Sequence, residues 1–256
     1  MSALLELRDV RVAIGGHDAV RGVSFAMGRE RLGIVGESGA GKSMLARAIM
    51  RLLPPGATMS GDILFDGATL DDTMMPDVRG ARIALVLQDP RFSLNPAMSI
   101  GSQIAEAVRA HRKISASAAR DEALRLIDAV KIRDPATVYR RYPHQLSGGM
   151  GQRAMIAMML APNPDLLIAD EPTSALDASV ANGILALLDA EAARRNMAIL
   201  LISHDLDLVA SFCDRVLVMK DGAIVEECAA SRLSEARDPY TRQLLAARLE
   251  LGETAP

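Results

Sequence analysis

The feature that most constrains the fold is a glycine-rich stretch between an apolar run and a helical pattern. Residues 32–35 form the apolar run, and from Gly41 onward apolar side chains recur at helical spacing until Pro54. The stretch satisfies the pattern G-x-x-x-x-G-K-[ST]. It consists of Gly36, Glu37, Ser38, Gly39, Ala40, Gly41, Lys42 and Ser43. A strand, a tight loop and a helix are therefore predicted in succession.

This loop has the chemistry of a phosphate-binding site. Glycines let the backbone wrap closely so that several N–H groups point at phosphate oxygens, and the helix N-terminus adds partial positive charge. Lys42 is expected to reach the β and γ phosphates of a bound nucleotide, and the Ser43 hydroxyl is expected to bind Mg²⁺. The alternative, a merely tight turn, is disfavoured by the strand and helix that flank the loop.

The rest of the chain predicts an alternating α/β organisation. Short β patterns at the start indicate an antiparallel entry sheet, and residues 100–132 indicate a helical insertion with an N-cap at Ser115 or Ser117. Later apolar runs alternate with helical segments, which is typical of a parallel sheet. Those runs are residues 166–169, 198–202 and 216–219. Asp221-Gly222 predicts a hairpin near the end of the chain.

Polar residues follow two of these runs, at the edge where a parallel sheet binds its ligand. Asp170 and Glu171 come directly after the first run, and His204 comes after the second. Asp170 is expected to hold Mg²⁺, Glu171 to orient or deprotonate the attacking water, and His204 to reach the γ phosphate. An acid pair alone is more often a solvated loop, and a lone histidine is unremarkable. The phosphate loop upstream favours the catalytic interpretation.

A second glycine-containing helix start lies at residues 146–153, which read Leu-Ser-Gly-Gly-Met-Gly-Gln-Arg. Ser147, Gly148 and Gly149 form an anion-binding helix N-terminus in this segment. The helical insertion separates it from the first loop, so the two sites are not expected to grip one nucleotide within one chain. A partner chain is predicted to supply the other half.

Composition excludes several other classes of protein. A net charge of −3 and the lack of any Lys/Arg-rich block argue against a dedicated nucleic-acid binder. The longest apolar run, residues 154–161, is far shorter than the roughly 20 residues that cross a bilayer. The N-terminus lacks the pattern of a signal peptide, which predicts a cytosolic protein. Cys213 and Cys228 lack metal-site or redox spacing, so a packing role is expected for both.

Taken in order, these motifs resemble the full set of an ATP-binding-cassette (ABC) ATPase, and the resemblance covers nearly the whole chain. It implies an α/β fold: a RecA-like phosphate-loop ATPase core with an antiparallel β subdomain and an inserted helical subdomain. The implied ligands are ATP and Mg²⁺. The implied layout is a single ABC ATPase domain over residues 1–256. Within it, residues 1–90 and 162–230 form the ATP-binding core, about 91–161 the helical subdomain with the signature, and 231–256 a short helical tail.

The resemblance also implies roles for individual residues. In this family the signature of one subunit caps ATP held by the other, so Ser147 and Gly149 would contact a nucleotide across a dimer. Asp177, in the segment Ser174-Ala175-Leu176-Asp177, would lie at that interface. Gln88 resembles the glutamine that reaches the metal and the water and links the core to the helical subdomain. That subdomain meets the permease.

Shorter motifs narrow the branch to the peptide and nickel importers. They include residues 88–90, 93–96, 142–145 and 238–241. The nickel or metal-chelate type is favoured because the chain lacks the cysteine-bearing tail often found in peptide carriers, and di- or oligopeptides are the alternative cargo. The implied partners are a second ATPase subunit, different or identical, two integral-membrane permeases and an extracytoplasmic substrate-binding protein. Nucleic acid is not an implied partner. The implied location is peripheral, on the cytoplasmic face of the inner membrane.

Two other functions are less consistent with the sequence. A soluble ABC ATPase acting on nucleic acid or ribosomes usually carries two cassettes and a basic linker, whereas this chain has room for one cassette. An ordinary phosphate-loop kinase would not require the signature segment at residues 146–153.

Two positions depart from the family pattern. Ile14 stands where an aromatic residue usually stacks on adenine, with His17 as a candidate substitute, and this predicts weak discrimination between ATP and GTP. Gly151 stands where related signatures often carry a basic residue, and glycine inside a helix costs about 1 kcal/mol relative to alanine.

Overall fold

The computed structural model describes residues 3–174 and 176–252. Ala175, in the predicted interface segment, and residues 253–256 of the predicted tail lie outside the described residues. The strands are β1 Leu5–Ile14, β2 His17–Met27, β3 Arg31–Val35, β4 Ala57–Phe65, β5 Ala68–Thr69, β6 Ile83–Val86, β7 Leu166–Asp170, β8 Ala198–Ser203, β9 Arg215–Lys220 and β10 Ala223–Ala229. The α-helices are α1 Lys42–Ile49, α2 Met75–Val78, α3 Ile100–His111, α4 Ala116–Ala129, α5 Pro135–Arg140, α6 Gly148–Leu160, α7 Ala178–Arg195, α8 Leu206–Phe212 and α9 Pro239–Gly252.

The chain divides into two compact units. Unit 1 comprises Met1–Pro76 and Ala198–Pro256, and unit 2 comprises Asp77–Met197. The predicted helical insertion falls within unit 2. The finer division into ATP-binding core, helical subdomain and tail remains a prediction.

Unit 1 begins with the predicted antiparallel entry sheet, whose strand order is β2-β1-β4-β5. Alternate residues of β1, such as Leu5 and Leu7, are buried, because successive side chains of a strand point to opposite faces. The register between β1 and β4 shifts between Arg8 and Arg11, opposite Gly61. A Cβ on Gly61 would lie 2.3 Å from the Asp9 carbonyl oxygen, so the close approach requires glycine.

The second sheet segment of unit 1 has the strand order β10-β9-β3-β8. Strand β3 is parallel to both β8 and β9, and β8 is buried along its whole length, as expected for a parallel strand covered on both faces. Strands β9 and β10 form the predicted hairpin, with Asp221 and Gly222 both at positive φ (47° and 83°) in its two-residue turn. Helix α8 packs so closely on β3 that a Cβ on Gly33 would lie 2.3 Å from Val209 Cγ1.

Unit 2 combines the parallel pair β6–β7 with the helices of the insertion. The predicted helical stretch is two helices, α3 and α4, separated at Arg112, which is extended. Ser115, rather than Ser117, caps α4, and its hydroxyl accepts a hydrogen bond of 3.1 Å from the Ala118 N–H. Helix α3 packs on the Tyr139 ring of α5 through Gly101.

Among the helices in the described part of the chain, none is both long and apolar enough to cross a membrane.

Candidate functional site

The predicted phosphate loop leaves the end of β3 and enters α1. Two of its glycines are required by close contacts. Gly36 has φ 155°, and a Cβ there would lie 2.1 Å from the Met219 carbonyl oxygen. Gly41 has φ 96°, and its Cβ would lie 2.3 Å from the Ala19 carbonyl oxygen. The loop backbone therefore lies against its neighbouring strands in a way that no other residue type allows.

Lys42 is the one loop side chain that is buried and charged, with 6% of its surface exposed. Its ammonium donates to the carbonyl oxygens of Gly36 (2.7 Å) and Glu37 (2.8 Å), so the cation is held inside the loop. Gly41, the N-cap of α1, carries no capping side chain, and the first turn of the helix contains no acidic residue. Ser43 is exposed in that turn. A buried cation beside an uncapped helix N-terminus is an arrangement that attracts an anion.

Two contacts from the C-terminal part of unit 1 hold the outside of the loop. The Ala40 carbonyl accepts a hydrogen bond of 3.1 Å from the N–H of Gly222, in the β9–β10 turn. The Glu37 N–H donates to the Tyr240 hydroxyl at 3.1 Å. Sequence reasoning assigned no role to Tyr240 beyond membership of a family motif. No local pattern identifies a hydrogen bond between residues 203 positions apart.

His204 lies at the edge of the sheet segment from which the loop emerges. Strands β3 and β8 are parallel, and Val35 is the partner of Ser203 in the register, so Gly36 and His204 leave the same edge. His204 is exposed, and the next residue, Asp205, caps α8 by accepting from Leu208 and Asp207. Unit 1 thus brings together the phosphate loop and the predicted γ-phosphate histidine at one edge.

Unit 2 gathers three other predicted residues in the same manner. Val86 of β6 is the register partner of Ala169 of β7, so Gln88 and the acid pair follow adjacent strand ends. Gln88 is exposed, Asp170 is 9% exposed, and Glu171 is half-buried. Glu171 has φ 48°, a left-handed conformation that is uncommon outside glycine and concentrates at functional sites. An amide and two carboxylates supply the hard oxygen ligands that Mg²⁺ prefers.

The signature segment forms the N-terminus of α6. Ser147 is the N-cap, and its hydroxyl accepts from the Met150 N–H at 3.4 Å. Ser147 and Gly148 are exposed, whereas a Cβ on Gly149 would lie 2.7 Å from Val180 Cγ1. The helix tip therefore opens to solvent on one side and packs against α7 on the other.

Asp177 and Gly151 acquire specific contacts within unit 2. Asp177 is exposed and caps α7, accepting a hydrogen bond of 2.9 Å from the Val180 N–H. Val180 therefore joins the predicted interface aspartate to the signature glycine. At Gly151, a Cβ would lie 3.4 Å from Pro90 Cγ, an ordinary van der Waals distance, so the segment after Gln88 does not require glycine here. Nothing in the structure explains glycine at this position.

The remaining candidates are the two positions of the first hairpin and the two cysteines. Ile14 and His17 are register partners in the β1–β2 hairpin, the first half-buried and the second exposed. Cys213 packs near Gly33, and burial raises its pKa to about 12, which makes the thiol unreactive at neutral pH. Burial also raises the pKa of Cys228.

Comparison with known proteins decides the family. A protein-family profile described as ABC transporter matches residues 20–174. The chain is 46% identical over 253 residues to a probable peptide ABC transporter ATP-binding protein, y4tR, of Sinorhizobium fredii, covering 94% of this chain and 76% of that protein. The chain belongs to the ABC transporter ATPase family. The predicted family and its ATPase activity are thereby confirmed.

Two further relatives share this level of similarity with the ABC ATPase. The oligopeptide transport ATP-binding protein OppD of Bacillus subtilis is 45% identical over 96% of this chain and 72% of its own length. The glutathione import ATP-binding protein GsiA of Pectobacterium atrosepticum is 47% identical over 92% of this chain, which spans only 40% of that protein. These names refer to peptides and glutathione, and they give no specific support to the expectation of nickel.

Solved structures confirm the predicted α/β ABC fold. The ATP-binding cassette MJ0796, solved as a dimer in a post-hydrolysis state bound to ADP and phosphate, superposes with a TM-score of 0.78 at 27% identity, covering 88% of this chain and 98% of that one. The structure of cbiO1 from Clostridium perfringens, described as part of the transporter complex cbiONQ, superposes with a TM-score of 0.79 at 26% identity, covering 98% and 96%.

Proposed function

We propose that this ABC ATPase energises a transporter that imports small peptides. The support for the cargo class is the similarity to ATP-binding proteins named for peptide, oligopeptide and glutathione transport. The ATPase subunit acts on the cargo only through the permease, so its own residues do not select between peptides and nickel chelates. Nickel, the cargo expected from the sequence, is therefore an outcome that the transport experiment distinguishes.

We infer that the phosphate loop holds the triphosphate in unit 1. Backbone N–H groups from Gly36 to Ser43 would surround the β phosphate, with Gly39 at the exposed turn of the loop. Lys42, whose ammonium now bridges two loop carbonyls, would exchange those bonds for the β and γ phosphates. Because the ammonium is already held at the loop, its side chain loses little further conformational freedom when phosphate binds. His204, at the same sheet edge, would contact the γ phosphate.

Magnesium fits the donors that the chain offers. In unit 1, Ser43 has an exposed hydroxyl. In unit 2, Asp170 and Gln88 have oxygens at adjacent strand ends. No cluster of three or more His, Cys, Asp or Glu residues that could hold a metal occurs within residues 3–174 and 176–252. Mg²⁺ is usually bound by one or two carboxylates together with substrate phosphates and water, and Asp170 would be the carboxylate here. When bound, the ion would neutralise charge that develops on the phosphates.

Hydrolysis would be carried by Glu171. Its carboxylate follows β7 by one residue, and the left-handed backbone sets its direction apart from that of Asp170. Glu171 would accept a hydrogen bond or the proton from the attacking water, while Gln88 would orient that water. A side chain that acts as a general base raises the reaction rate by about 10²- to 10⁴-fold.

The second half of the site would come from a partner ATPase subunit. The observation that supports this is the exposed helix tip at Ser147 and Gly148, which presents anion-binding groups to solvent. One subunit's Ser147, Gly148 and Gly149 would cap the nucleotide held by the other subunit's phosphate loop, with Asp177 at the junction. The partner would be a different ATPase chain or a second copy. Two permeases and an extracytoplasmic binding protein would complete the importer, with this subunit on the cytoplasmic face of the inner membrane.

The test is uptake into vesicles carrying the assembled transporter and its binding protein. We expect ATP-dependent uptake of labelled di- to oligopeptides, and Glu171→Gln is expected to lower ATP hydrolysis by about 10²-fold or more while ATP binding persists. If the vesicles take up nickel chelates and no peptides, the proposed peptide cargo is wrong and nickel is the cargo. Normal hydrolysis by Glu171→Gln would remove its proposed role, and stimulation by ribosomes or nucleic acid without any permease would overturn transport itself.

A further inference from the structure

A buried tyrosine of the last described helix contacts the backbone of the phosphate loop. Tyr240 lies in the first turn of α9 and is 7% exposed. Its hydroxyl accepts the Glu37 N–H at 3.1 Å. Glu37 immediately follows Gly36, where the chain leaves β3 and turns into the loop. The contact therefore acts at the entrance of the loop.

The position of the tyrosine is itself held by several groups. The Asp238 carboxylate accepts from the N–H groups of Tyr240 (2.8 Å) and Thr241 (3.2 Å). Glu226 of β10 accepts from the N–H of Arg237 at 2.7 Å, which fixes the segment before α9. The Lys220 ammonium lies 4.6 Å from the centroid of the Tyr240 ring, within cation–π distance. A tyrosine held in this way places its hydroxyl reproducibly.

The β9–β10 hairpin that helps to hold Tyr240 also holds the other side of the loop. The Gly222 N–H bonds the Ala40 carbonyl at 3.1 Å, and the Gly222 carbonyl accepts from Arg21 at 2.7 Å. The loop entrance and the loop exit are thus both anchored from outside, while Lys42 bonds the loop from inside. A loop whose peptide groups are already oriented loses less conformational freedom when phosphate binds.

We propose that Tyr240 is a positioning residue for nucleotide binding: its hydroxyl orients the Glu37 peptide and keeps the phosphate loop in the conformation that receives phosphate. This inference rests on the proposed role of the phosphate loop. It assigns to the C-terminal helix α9 a direct influence on nucleotide affinity. The hydroxyl stays protonated at neutral pH, because burial raises the pKa of Tyr240.

The test is Tyr240→Phe in the full chain, which removes the hydroxyl and keeps the ring over Lys220. The Glu37 N–H then lacks its partner, and the loop samples other conformations. We expect the Kd for Mg-ADP, measured by calorimetric titration, to rise about three- to tenfold. In the assembled transporter, the KM for ATP is expected to rise by a similar factor while kcat stays within about twofold, because a positioning residue does not contact the reacting atoms.

Two control variants separate this inference from a general loss of stability and from failure of the proposed function. Tyr139→Phe removes a tyrosine hydroxyl in unit 2, and its Kd for Mg-ADP is expected to match that of the unaltered chain. Lys42→Ala is expected to weaken binding by about a hundredfold or more. If Tyr240→Phe melts at a lower temperature but binds Mg-ADP normally, Tyr240 is only structural and the inference is wrong. If Lys42→Ala binds as well as the unaltered chain, the proposed phosphate site is wrong and the inference fails with it.

Discussion

Two helix N-termini of this protein carry glycines and are predicted to bind phosphate, but they are built differently. At α1 the loop is closed on itself: its lysine is buried and bonds two loop carbonyls, and backbone and hydroxyl groups from the C-terminal segment bond its outer face. At α6 the N-cap Ser147 is exposed, and its hydroxyl makes a long bond of 3.4 Å within its own helix.

The difference indicates that the two helix N-termini act at different steps of nucleotide binding. A closed, braced loop is suited to holding a ligand by itself, since little ordering accompanies binding. The exposed N-terminus of α6 offers only a few hydrogen-bond donors to an anion. It is suited to binding a nucleotide that is already held by another surface. We therefore expect changes at the first site to remove binding, and changes at the second site to remove only the step that needs a partner.

The largest expected effect belongs to Lys42→Ala. Loss of the ammonium removes charge-assisted bonds to phosphate and leaves two loop carbonyls unpaired, so nucleotide affinity is expected to fall by about a hundredfold or more. Calorimetric titration of the isolated full chain with Mg-ADP measures the change. Lys131→Ala in unit 2 serves as the matched control and is expected to bind normally. If Lys42→Ala binds Mg-ADP with normal affinity, the phosphate loop at α1 does not hold the nucleotide, and the comparison of the two helix N-termini fails.

Ser147→Ala is expected to separate binding from catalysis. The isolated chain is expected to bind Mg-ADP within twofold of normal, while ATP hydrolysis by the assembled transporter falls about tenfold, because one hydrogen bond to a charged ligand is lost. Ser99→Ala is a close control: Ser99 caps α3 with a hydrogen bond of the same 3.4 Å length. Each variant loses about 1 kcal/mol of capping energy. Equal hydrolysis by the two variants would show that Ser147 is only a helix cap.

The helical part of unit 2 is expected to be sensitive to acid through Glu122. Hydrogen bonds from Arg125 lower the pKa of Glu122 from 4.5 to about 2, and Arg112 adds to the effect. Because the folded pKa is depressed, the stabilisation is complete above about pH 4.5 and is lost as the pH falls toward 2.

Glu122→Gln tests this expectation. After allowance for solvent screening, it is expected to lower the free energy of unfolding by about 1 kcal/mol at pH 7. The gap between the two proteins, measured by urea unfolding from pH 7 to pH 3, should narrow below pH 4.5. A gap that stays constant across this range would contradict the assigned cause.

The smallest expected effect concerns the base of the nucleotide. With Ile14 in place of an aromatic residue, ATP and GTP are expected to bind with affinities within about threefold of each other. Ile14→Tyr is expected to raise ATP affinity by about threefold through stacking, and to leave binding of inorganic tripolyphosphate unchanged. A strong preference for ATP in the unaltered chain would show that another residue, such as His17, supplies the contact.

Much of this protein could be predicted from local sequence. The phosphate loop, the buried parallel strands and the Asp221-Gly222 hairpin all depend on backbone conformation and side-chain periodicity within a few residues. The signature helix was located for the same reason, because a serine N-cap followed by glycines is a local signal. The helical segments predicted between the later strands are also present as α7 and α8, with Asp177 and Asp205 as their N-caps.

What tertiary structure alone decided is how distant groups meet. The bond from Glu37 to Tyr240 and the bond from Gly222 to Ala40 depend on packing that no local pattern records. Local sequence determines which backbone conformations are low in free energy, because steric contacts and nearby hydrogen bonds act over a few residues. The contacts that brace the phosphate loop form between segments far apart in the chain, so they depend on how the whole of unit 1 packs.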